Sequence, residues 1–587
     1  MPNLYFPARF LRGLLLTALL TPGAAFGQSP TWHRAAAVVP ATRSWSRVDA
    51  TAADGQGFVY LAGSFSGTIQ LDGTTLTSSA QADVFIAKWN STTNTFVWAQ
   101  RAGGRGNDNV RALAVQGSSV YVGGSFDTGR AGFGSDSLDW AGGKDGFVCK
   151  LTDAGTNASF AWSKGVGSTR DEEVTALAAT PTGLYLTGMF SSPTLSLEGR
   201  LLTNAAPVSS LMAPDLFVAK LTDAGTSATY AWAERTGGPS TDEVSSMAVE
   251  GSNVYLHGSF YGLTSIIGTT TLTNSASSYA TTADLFVAKL TDQSSAAAWG
   301  WVLPVSGPEW EYSGSIAAYG SSVYVTGTYA NKNTIRFGNS SLTGTNNMNC
   351  YVAKLTDAGA QASWQWVQGP RGDSSWGNAI QASAAGVFVA GMFSDGAARS
   401  ITLGSTVLAS PCFGCRGTFV AGLTDMGSSG RFSWAVQPAG ASYSSAAGLA
   451  ISGNELYIGG NFQAPFVQFG TLGLAVPLAN ERPNVGYVTV LRSITTSMKA
   501  PAWAAGLELT PNPAHGRAMV SLPAVPGATR VTLLLTDALG RTVRTATAAL
   551  PAAGLRHELN LQGLAPGLYS LRVQAGQQQA VRALLVE

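Results

Sequence analysis

The feature that most constrains the fold is an apolar segment that recurs seven times along the chain. Its copies are DVFIAKW at Asp83, DGFVCKL at Asp145, DLFVAKL at Asp215 and again at Asp284, NCYVAKL at Asn349, GTFVAGL at Gly417 and GYVTVL at Gly486. The aromatic residue of the copies, Phe85 in the first and Tyr487 in the last, recurs with a mean period of about 67 residues. A fixed period of this length indicates stacked or radial structural units.

Three further marks repeat once in each unit, so each unit supplies four strands. A run of small residues such as VRALAV at Val110 comes first, and a strand ending in Gly-x-aromatic, such as VGGSF, comes second. The recurrent segment is the third strand. The fourth is marked by a tryptophan in seven places: Trp32, Trp98, Trp162, Trp232, Trp301, Trp366 and Trp434.

The residue types predict the order of the strands within each sheet. Small residues suit an innermost strand, where sheets converge on an axis, whereas β-branched and aromatic residues suit the buried second and third strands. Seven such sheets predict an all-β, seven-bladed β-propeller with four-stranded blades, which leaves only short exposed edges. Because Trp32 precedes the first small-residue strand, residues Trp32 to Val38 are expected to pair with the last sheet as its outer strand.

These repeats resemble a known family. The combination of DxFVAKLTDxG, a tryptophan, VYVTGSF and FG followed by leucine resembles the bacterial SBBP-type seven-bladed β-propeller repeat, over about residues 31 to 491. The resemblance implies the propeller fold and says little about function. The last copy departs from the pattern, because it lacks the lysine found at Lys88, Lys150, Lys220, Lys289 and Lys354.

Composition excludes several classes of protein. The formal net charge is +1 and charged residues make up 12%, which does not fit a nucleic-acid-binding arm. Four cysteines cannot supply a disulfide framework for 587 residues. Cys412 and Cys415 have the spacing of a redox motif but follow a proline in a loop, so a short local disulfide is expected. The four histidines are scattered singly, and we expect neither a metal site nor a cofactor.

The first 27 residues read as a secretory signal peptide. Arg9 and Arg12 precede a short apolar run, and Ala25-Phe26-Gly27 provides small residues at a cleavage site. That run is too short to cross a bilayer, which needs about 20 residues, and no later apolar run approaches this length. The propeller is then assigned to residues 28–492.

A linker at 493–506 leads into a module of short alternating strands at 507–587, which predicts a small Ig-like β-sandwich. LTPNPAHG at Leu509, TDALGRTVR at Thr536 and LQGLAPGLYSLRV at Leu561 resemble the type IX secretion system (Por secretion) type A sorting domain. The resemblance implies recognition by the type IX secretion machinery through 507–587. It also implies that the mature protein is secreted, or attached to the outer surface of a Gram-negative bacterium, after export through the periplasm.

No set of catalytic residues stands out. Asp171, Glu172 and Glu173 and the pair Asp242 and Glu243 are short acidic stretches that usually belong to solvated turns. The recurrent TDAGT favours a hairpin turn. In that turn Asp153, Asp223 and Asp357 bond local backbone N–H groups, and the glycine two residues later takes a positive φ.

Loops that join each fourth strand to the next first strand are expected on one face of the ring. They carry a group of carboxylates and aromatic residues: Asp108, Asp171, Asp242, Glu309, Trp310, Asp373, Trp376 and Tyr443. Such a rim could bind a sugar through hydrogen bonds and ring stacking, or bind a cation. The alternative is that the aspartates cap turns.

Three functions remain open. The first is a non-enzymatic, monomeric propeller that binds a glycan or a surface protein. The second is a hydrolase or lyase of extracellular polysaccharide, which requires at least two carboxylates within ~5 to 10 Å of each other in a pocket. The third is an envelope protein without a specific ligand, which predicts no deep pocket.

Overall fold

The computed structural model describes residues 30–587 except 207–212, 276–281, 346, 395–398, 411, 477–480, 496–501, 526–527, 538–541 and 576–577. The predicted signal peptide lies outside the described residues. The fold is all-β, and its repeating unit is a four-stranded antiparallel sheet whose strands, called a, b, c and d, lie side by side in that order.

Sheets 1 to 3 follow one another along the chain. Sheet 1 contains Trp45–Ala53, Phe58–Leu71, Thr74–Asn90 and Thr95–Ala102. Sheet 2 contains Asp108–Gln116, Ser119–Asp127, Lys144–Asp153 and Ala158–Val166. Sheet 3 contains Glu172–Thr180, Gly183–Phe190, Asp215–Asp223 and Ala228–Thr236.

Sheets 4 to 6 repeat the pattern. Sheet 4 contains Asp242–Glu250, Asn253–Tyr261, Ala283–Asp292 and Ala297–Val305. Sheet 5 contains Glu311–Tyr319, Ser322–Ala330, Met348–Asp357 and Ala362–Gln368. Sheet 6 contains Ser375–Ser383, Gly386–Ser394, Arg416–Asp425 and Gly430–Val436.

Sheet 7 is built from both ends of the repeat region. Its strands a to c are Ser444–Ser452, Glu455–Gln463 and Asn484–Arg492, and its strand d is the N-terminal strand Thr31–Pro40. Val38 pairs with Gly486 and Ala35 with Thr489, so the pairing expected from the sequence is present. The end of Thr31–Pro40 also pairs with strand b of sheet 1, through Val39 and Gln70.

The register of this strand differs from the prediction by two residues. Trp98 pairs with Lys88 in sheet 1 and Phe96 with Trp89, but in sheet 7 it is Arg34 that pairs with Val490, while Trp32 pairs with Leu491. Trp32 therefore corresponds to Phe96 and not to Trp98, which corrects its place in the tryptophan series. Its ring packs on Phe469, with a centroid distance of 5.1 Å.

Small two-stranded hairpins branch off between strands b and c of sheets 2 to 7. They are Arg130–Phe133 with Asp136–Asp139, Thr194–Leu197 with Arg200–Thr203, Thr264–Ile267 with Thr270–Thr273, Thr334–Phe337 with Ser340–Thr343, Ser400–Leu403 with Thr406–Ala409, and Phe466–Phe469 with Leu472–Ala475. The short strand Arg371–Gly372 joins the fifth hairpin. In that hairpin's connection to sheet 6, Cys412 and Cys415 form a disulfide, with Cα atoms 5.3 Å apart.

The hydrophobic core is divided into clusters that lie between consecutive sheets. One such cluster joins sheets 1 and 2, five more continue to sheet 7, and one joins sheet 7 to sheet 1 through Val38, Val48 and Val488. The a strands are neighbours in the same cyclic order, and strand a of sheet 7 contacts strand a of sheet 1. Burial of apolar surface between sheets is thus the main source of stability in this region.

A charged contact, called here the latch, joins five of the sheet pairs. Asp153 at the end of strand c of sheet 2 accepts hydrogen bonds from three side chains of sheet 1: Lys88 Nζ at 2.6 Å, Tyr60 OH at 2.7 Å and Trp98 Nε1 at 3.0 Å. The equivalent latches centre on Asp223, Asp292, Asp357 and Asp425.

The turn predicted at these aspartates is present as well. Gly155 N donates to Asp153 Oδ1 at 2.9 Å, and Gly155 has a φ of +94°. One aspartate therefore both shapes its own hairpin and binds the preceding sheet. The conserved spacing in the repeat thus serves two purposes, and the sequence indicated only the first.

The C-terminal residues form two further sheets around one core. A short 3₁₀ helix, Ala502–Gly506, precedes a sheet of Glu508–Thr510, Arg517–Leu522 and Leu555–Asn560. The second sheet contains Thr542–Ala549, Arg530–Thr536, Gly567–Ala575 and Gln578–Val586 in that order. Val520 of the first sheet and Leu533 and Leu571 of the second belong to one buried cluster. This is the two-layered arrangement expected of a sandwich.

Candidate functional site

A polar cavity of about 550 Å³ is lined by residues from the a strands of all seven sheets. It lies at the end where these strands begin, since its walls include Arg47, Arg111, Glu173, Tyr312 and Ser445. A smaller cavity of about 200 Å³ shares several of its lining residues and continues along the same strands. We call the larger space the inner cavity.

A β-bulge in every a strand determines which side chains reach this space. In sheet 2 the register passes from Val110 to Ala112, so Arg111 is left outside the ladder. The bulged residues of the other sheets are Asp49, Thr175, Ser245, Gly314 with Ser315, Asn378 and Ala447. All of them line one of the two cavities. A bulge redirects the side chain of its extra residue, and repeated seven times it produces a ring of such side chains.

Charged side chains are concentrated on the sheet 1 to sheet 4 side of the inner cavity. Arg111 Nε donates to Glu173 Oε1 at 3.0 Å, and Ser125 Oγ donates to the same oxygen. Arg47 pairs with Asp49 at 2.5 Å. Glu243 also lines the cavity, so three carboxylates face two guanidinium groups. The wall therefore carries both hydrogen-bond donors and acceptors, with one carboxylate in excess.

Burial shifts the pKa values of the ionisable side chains in this wall. Burial raises the pKa of the Asp49 carboxyl, although the charge of Arg47 opposes the shift. Burial likewise raises the pKa of Glu243, and Arg111 opposes that shift. For Arg111 itself, burial acts to lower the pKa, but the charge and hydrogen bond of Glu173 and the charges of Asp49 and Glu243 together outweigh it, and the pKa stands above its ordinary value. The guanidinium thus remains charged and holds the carboxylates around it.

Aromatic side chains stand beside these charges. Tyr312 lines the inner cavity and meets Trp310 edge to face, with ring centroids 6.4 Å apart. Trp310 is 49% exposed, which is unusual for so large an apolar side chain. After burial itself, the charge of Glu243 is the main cause of the raised pKa of Tyr312, which places the carboxylate near this ring.

The structure brings together only part of the residue set predicted from sequence. Tyr443 lines the inner cavity, Trp310 is exposed beside Tyr312, and Trp376 lies under the guanidinium of Arg416 at 5.5 Å. Asp171 is exposed and accepts a bond from Lys144 N at 2.9 Å, while Glu309 is half-buried.

The expectation of an exposed rim does not hold for Asp108, Asp242 and Asp373, which are at most 3% exposed. Asp108 accepts a bond from Gly104 N at 2.7 Å, and Asp242 from Gly238 N at 2.6 Å. Asp373 accepts one from Ser400 N at 2.9 Å. Asp108 and Asp242 bond amides four residues before them, in agreement with the turn-capping alternative, whereas Asp373 bonds the start of the fifth hairpin.

Sequence reasoning missed Arg47, Asp49, Arg111, Glu173 and Glu243. The acidic stretches at 171–173 and 242–243 did contain a signal, because consecutive residues of a strand point to opposite sides. Glu172 and Asp242 are buried between sheets, so the next residue in each case faces the inner cavity. Glu172, Glu173, Asp242 and Glu243 therefore lie in strands and not in solvated turns, whereas Asp171 is exposed just before its strand.

The chain is an all-β protein of repeated four-stranded sheets with a polar cavity at their first strands. Its residues 508–587 match the family described as the secretion system C-terminal sorting domain. This match supports export through the type IX secretion system to the cell surface or the surrounding medium. Among the described residues, no helix is both long and apolar enough to cross a membrane.

Other comparisons add little. No curated protein matches the chain. A crystal structure of a protein of unknown function from Dyadobacter fermentans is 9% identical, covers 79% of this chain and 99% of its own, and has a TM-score of 0.36. A structure from Lactobacillus plantarum is 12% identical, covers 60% and 92%, and has a TM-score of 0.23.

Proposed function

We propose that the chain is a secreted or surface-displayed seven-bladed β-propeller that binds a glycan in the inner cavity and has no enzymatic activity. The cyclic order of the a strands and the cluster between sheets 7 and 1 support closure of the ring. The resemblance to SBBP-type repeats agrees with this proposal. Type IX export, after a signal peptide directs the chain to the periplasm, would deliver the propeller to the outer cell surface.

The observation that carries the binding proposal is the composition of the cavity wall. Glu173, Glu243 and Arg111 supply fixed acceptors and donors, while Tyr312 supplies aromatic surface in the same stretch of wall and Trp310 lies beside it. Sugars present hydroxyl groups on their edges and an apolar face, so they fit a site that combines hydrogen bonds with ring contacts. Ion pairing holds Arg111 and Glu173 in place before a ligand arrives, which limits the entropy lost on binding.

One observation favours a polysaccharide hydrolase or lyase as the second candidate. Asp49, Glu173 and Glu243 line one cavity, and burial raises the pKa of Glu243, as a general acid requires. An enzyme would cleave the glycans it binds, and Glu243→Gln would abolish cleavage while retaining binding. A pure binding protein would leave the glycan intact.

A glycan array with the mature, full-length protein tests the proposal. Binding is expected to one class of glycan, and Tyr312→Ala and Glu243→Gln should each weaken it about tenfold or more. Trp140→Ala is the matched control, since Trp140 is 45% exposed but lies in the hairpin of sheet 2 outside the inner cavity. No glycan binding, or binding that survives both cavity variants, would refute the proposal.

A further inference from the structure

Consecutive sheets meet through one pair of side chains near the start of each a strand, and in four cases both are acidic. The first acid precedes the apolar part of strand c, and the second begins strand a of the next sheet. The pairs are Asp83 with Asp108, Asp145 with Glu172, Asp215 with Asp242, and Asp284 with Glu311. All eight residues are at most 2% exposed.

In the other three pairs of consecutive sheets, a serine near the start of strand a accepts a neutral hydrogen bond from strand c of the preceding sheet. Ser375 Oγ accepts from Cys350 N at 3.1 Å, Ser444 Oγ from Thr418 N at 3.0 Å, and Ser46 Oγ from Gly486 N at 3.0 Å. The fold therefore does not require an acid at this position. Two buried acids together need either a compensating positive charge or a bound proton, because carboxylates lose much solvation in a protein interior.

The four acidic pairs differ in how that charge is supplied. Arg101 pairs with Asp83 and Arg235 with Asp215, so each of these pairs already has one guanidinium. The equivalent positions in sheets 2 and 4 are Gly165 and Pro304. Among the described residues, no basic side chain forms an ion pair with Asp145, Glu172, Asp284 or Glu311.

Each of these two pairs contains one buried oxygen without a hydrogen-bond partner, Asp145 Oδ1 and Glu311 Oε2. The arginine-containing pairs also have such oxygens, at Asp83, Asp108 and Asp215, so the two kinds of pair differ in the guanidinium and not in this respect. Burial, and then the charge of Asp284, raises the pKa of Glu311 to about 9. The pKa of Glu172 is raised to about 7, chiefly by burial, with Asp145 contributing. An unsatisfied, electrostatically strained acid of this kind favours any cation that can enter.

Glycines let the backbone pass close to both pairs. A Cβ on Gly167 would lie 2.8 Å from Asp145 Oδ1, and Ser168 N lies 2.7 Å from Glu172 Oε2. A Cβ on Gly307 would lie 2.1 Å from Glu311 Oε1, and Gly307 N lies 3.4 Å from Asp284 Oδ1. One short backbone segment thus touches both carboxylates of each pair. Gly103 and Gly237 approach the arginine-containing pairs in the same way.

We propose that the Asp145–Glu172 pair and the Asp284–Glu311 pair each bind one calcium ion between consecutive sheets. One divalent cation balances the two negative charges of a carboxylate pair. In the pairs that contain Arg101 or Arg235, the guanidinium already supplies one positive charge, so only one more is needed. Calcium prefers oxygen ligands and accepts irregular coordination by carboxylates, backbone carbonyls, hydroxyls and water. No group of three or more metal-ligating side chains occurs among the described residues, so the remaining ligands would be of these other types.

Oxygen atoms of the required kinds lie at the second pair. Ser275 Oγ is 2.9 Å from Asp284 Oδ1 and donates to the carbonyl of Gly307 at 2.6 Å. A protein outside the cell meets calcium at concentrations that saturate even weak extracellular sites, with Kd values of about 10⁻⁴ to 10⁻³ M. The calcium ions would strengthen the contacts of sheet 2 with sheet 3 and of sheet 4 with sheet 5.

The test is calorimetric titration of the chelator-treated, full-length protein with Ca²⁺ at about pH 8, together with thermal unfolding. We expect one ion at each of the two pairs and a rise in Tm with Ca²⁺. Glu172→Gln and Glu311→Gln should each remove one ion, and together both. Asp108→Asn with Asp242→Asn is the matched control, since it changes the arginine-containing pairs and should leave Ca²⁺ binding intact.

The single variants keep the test usable if the double variant does not fold. The absence of both binding heat and a Tm shift would overturn the proposal, and so would an equal loss in the control variant. If Ca²⁺ has no effect but the pairs lose a proton near neutral pH, they share protons instead, and the proposal is again wrong. None of these outcomes depends on glycan binding.

Discussion

Five of the sheet contacts carry a latch, whereas the two contacts that border sheet 7 carry none. From sheet 1 to sheet 6, a lysine, a tyrosine and a tryptophan of one sheet donate to an aspartate of the next. Between sheets 6 and 7, Gly422 stands in place of the lysine and Ser493 in place of the aspartate. Between sheets 7 and 1 these positions hold Val490 and Ser91.

Both partners of the latch are thus absent from the same contacts. A buried lysine without its carboxylate would be costly, so the two residues are kept or replaced together. Sheet 7 is instead held by strand pairing, since Thr31–Pro40 pairs with Asn484–Arg492 and its end reaches sheet 1. The ends of the repeat region are thus joined by backbone hydrogen bonds and apolar burial, whereas sheets 1 to 6 are joined partly by ion pairs.

The largest expected effect comes from removing the strand that replaces the latch. Deletion of residues 30–40 leaves the outer edge of strand c of sheet 7 unpaired and exposes the cluster that contains Val48 and Val488. Exposing roughly 300 Å² of apolar surface costs about 7 kcal/mol at about 25 cal/mol per Å². We expect loss of the cooperative unfolding transition or a sharply lower Tm by circular dichroism. If the deletion variant unfolded at the same temperature as the wild type, sheet 7 would not need a fourth strand for its stability.

The next effect tests the latch itself, between sheets 4 and 5. Asp357→Ala removes the acceptor of Lys289, Tyr255 and Trp301 and leaves a buried ammonium group unpaired. We expect a loss of about 3 to 5 kcal/mol in the free energy of unfolding, measured with denaturant. Ser493→Ala, at the equivalent place beside sheet 7, should change it by less than about 0.5 kcal/mol. Equal effects at the two positions would contradict the comparison.

In sheet 6 the ring of Trp434 lies over Gly422, which stands where sheets 1 to 5 carry the lysine. Substitution of this glycine gives a third and smaller effect. A Cβ on Gly422 would lie 2.4 Å from the Trp434 ring, which lies over the glycine. Gly422→Ala should therefore cost about 1 to 3 kcal/mol through overpacking. Val490→Ala, at the contact between sheets 7 and 1, creates a cavity instead. Trp434→Phe should therefore restore stability to the Gly422→Ala variant but not to the Val490→Ala variant. Unfolding of the double variant measures this coupling.

The sequence predicted most of the architecture because the repeat marks whole strands. It did not predict the latch, because Lys88 and Asp153 belong to different sheets and nothing local pairs them. It placed Trp32 two residues off, because aromatic residues occupy both positions of strand d, as Phe96 and Trp98 do in sheet 1 and Trp364 and Trp366 do in sheet 5. It chose Asp108 and Asp242 for the site instead of Arg111 and Glu243. Strand alternation after the buried Asp242 turns Glu243 toward the cavity, whereas a bulge that the sequence does not reveal turns Arg111 toward it.

The smallest effect distinguishes the two kinds of carboxylate that join the sheets. In the latches, burial acts to raise the pKa of Asp357, but the bonds from Lys289 and Tyr255 outweigh it and hold the pKa below its ordinary value. The stability that this aspartate contributes is therefore present at neutral pH and is lost only in acid, as the pH falls through the lowered pKa.

The acid pairs behave in the opposite way. Because the pKa values of Glu172 and Glu311 are raised, to about 7 and about 9, their protonated forms stabilise the fold at low pH. In calcium-free buffer that stability is lost as the pH rises from about 6 to 9. We expect a decrease of about 1 to 3 kcal/mol over this range. Glu172→Gln with Glu311→Gln should reduce the slope, most of all above pH 7, where Glu311 titrates, whereas Asp357→Ala should not. Asp108 and Asp242, whose pKa values burial raises to about 7, should retain the remaining slope. A wild-type profile that is already flat between pH 6 and 9 would contradict this account of the acid pairs.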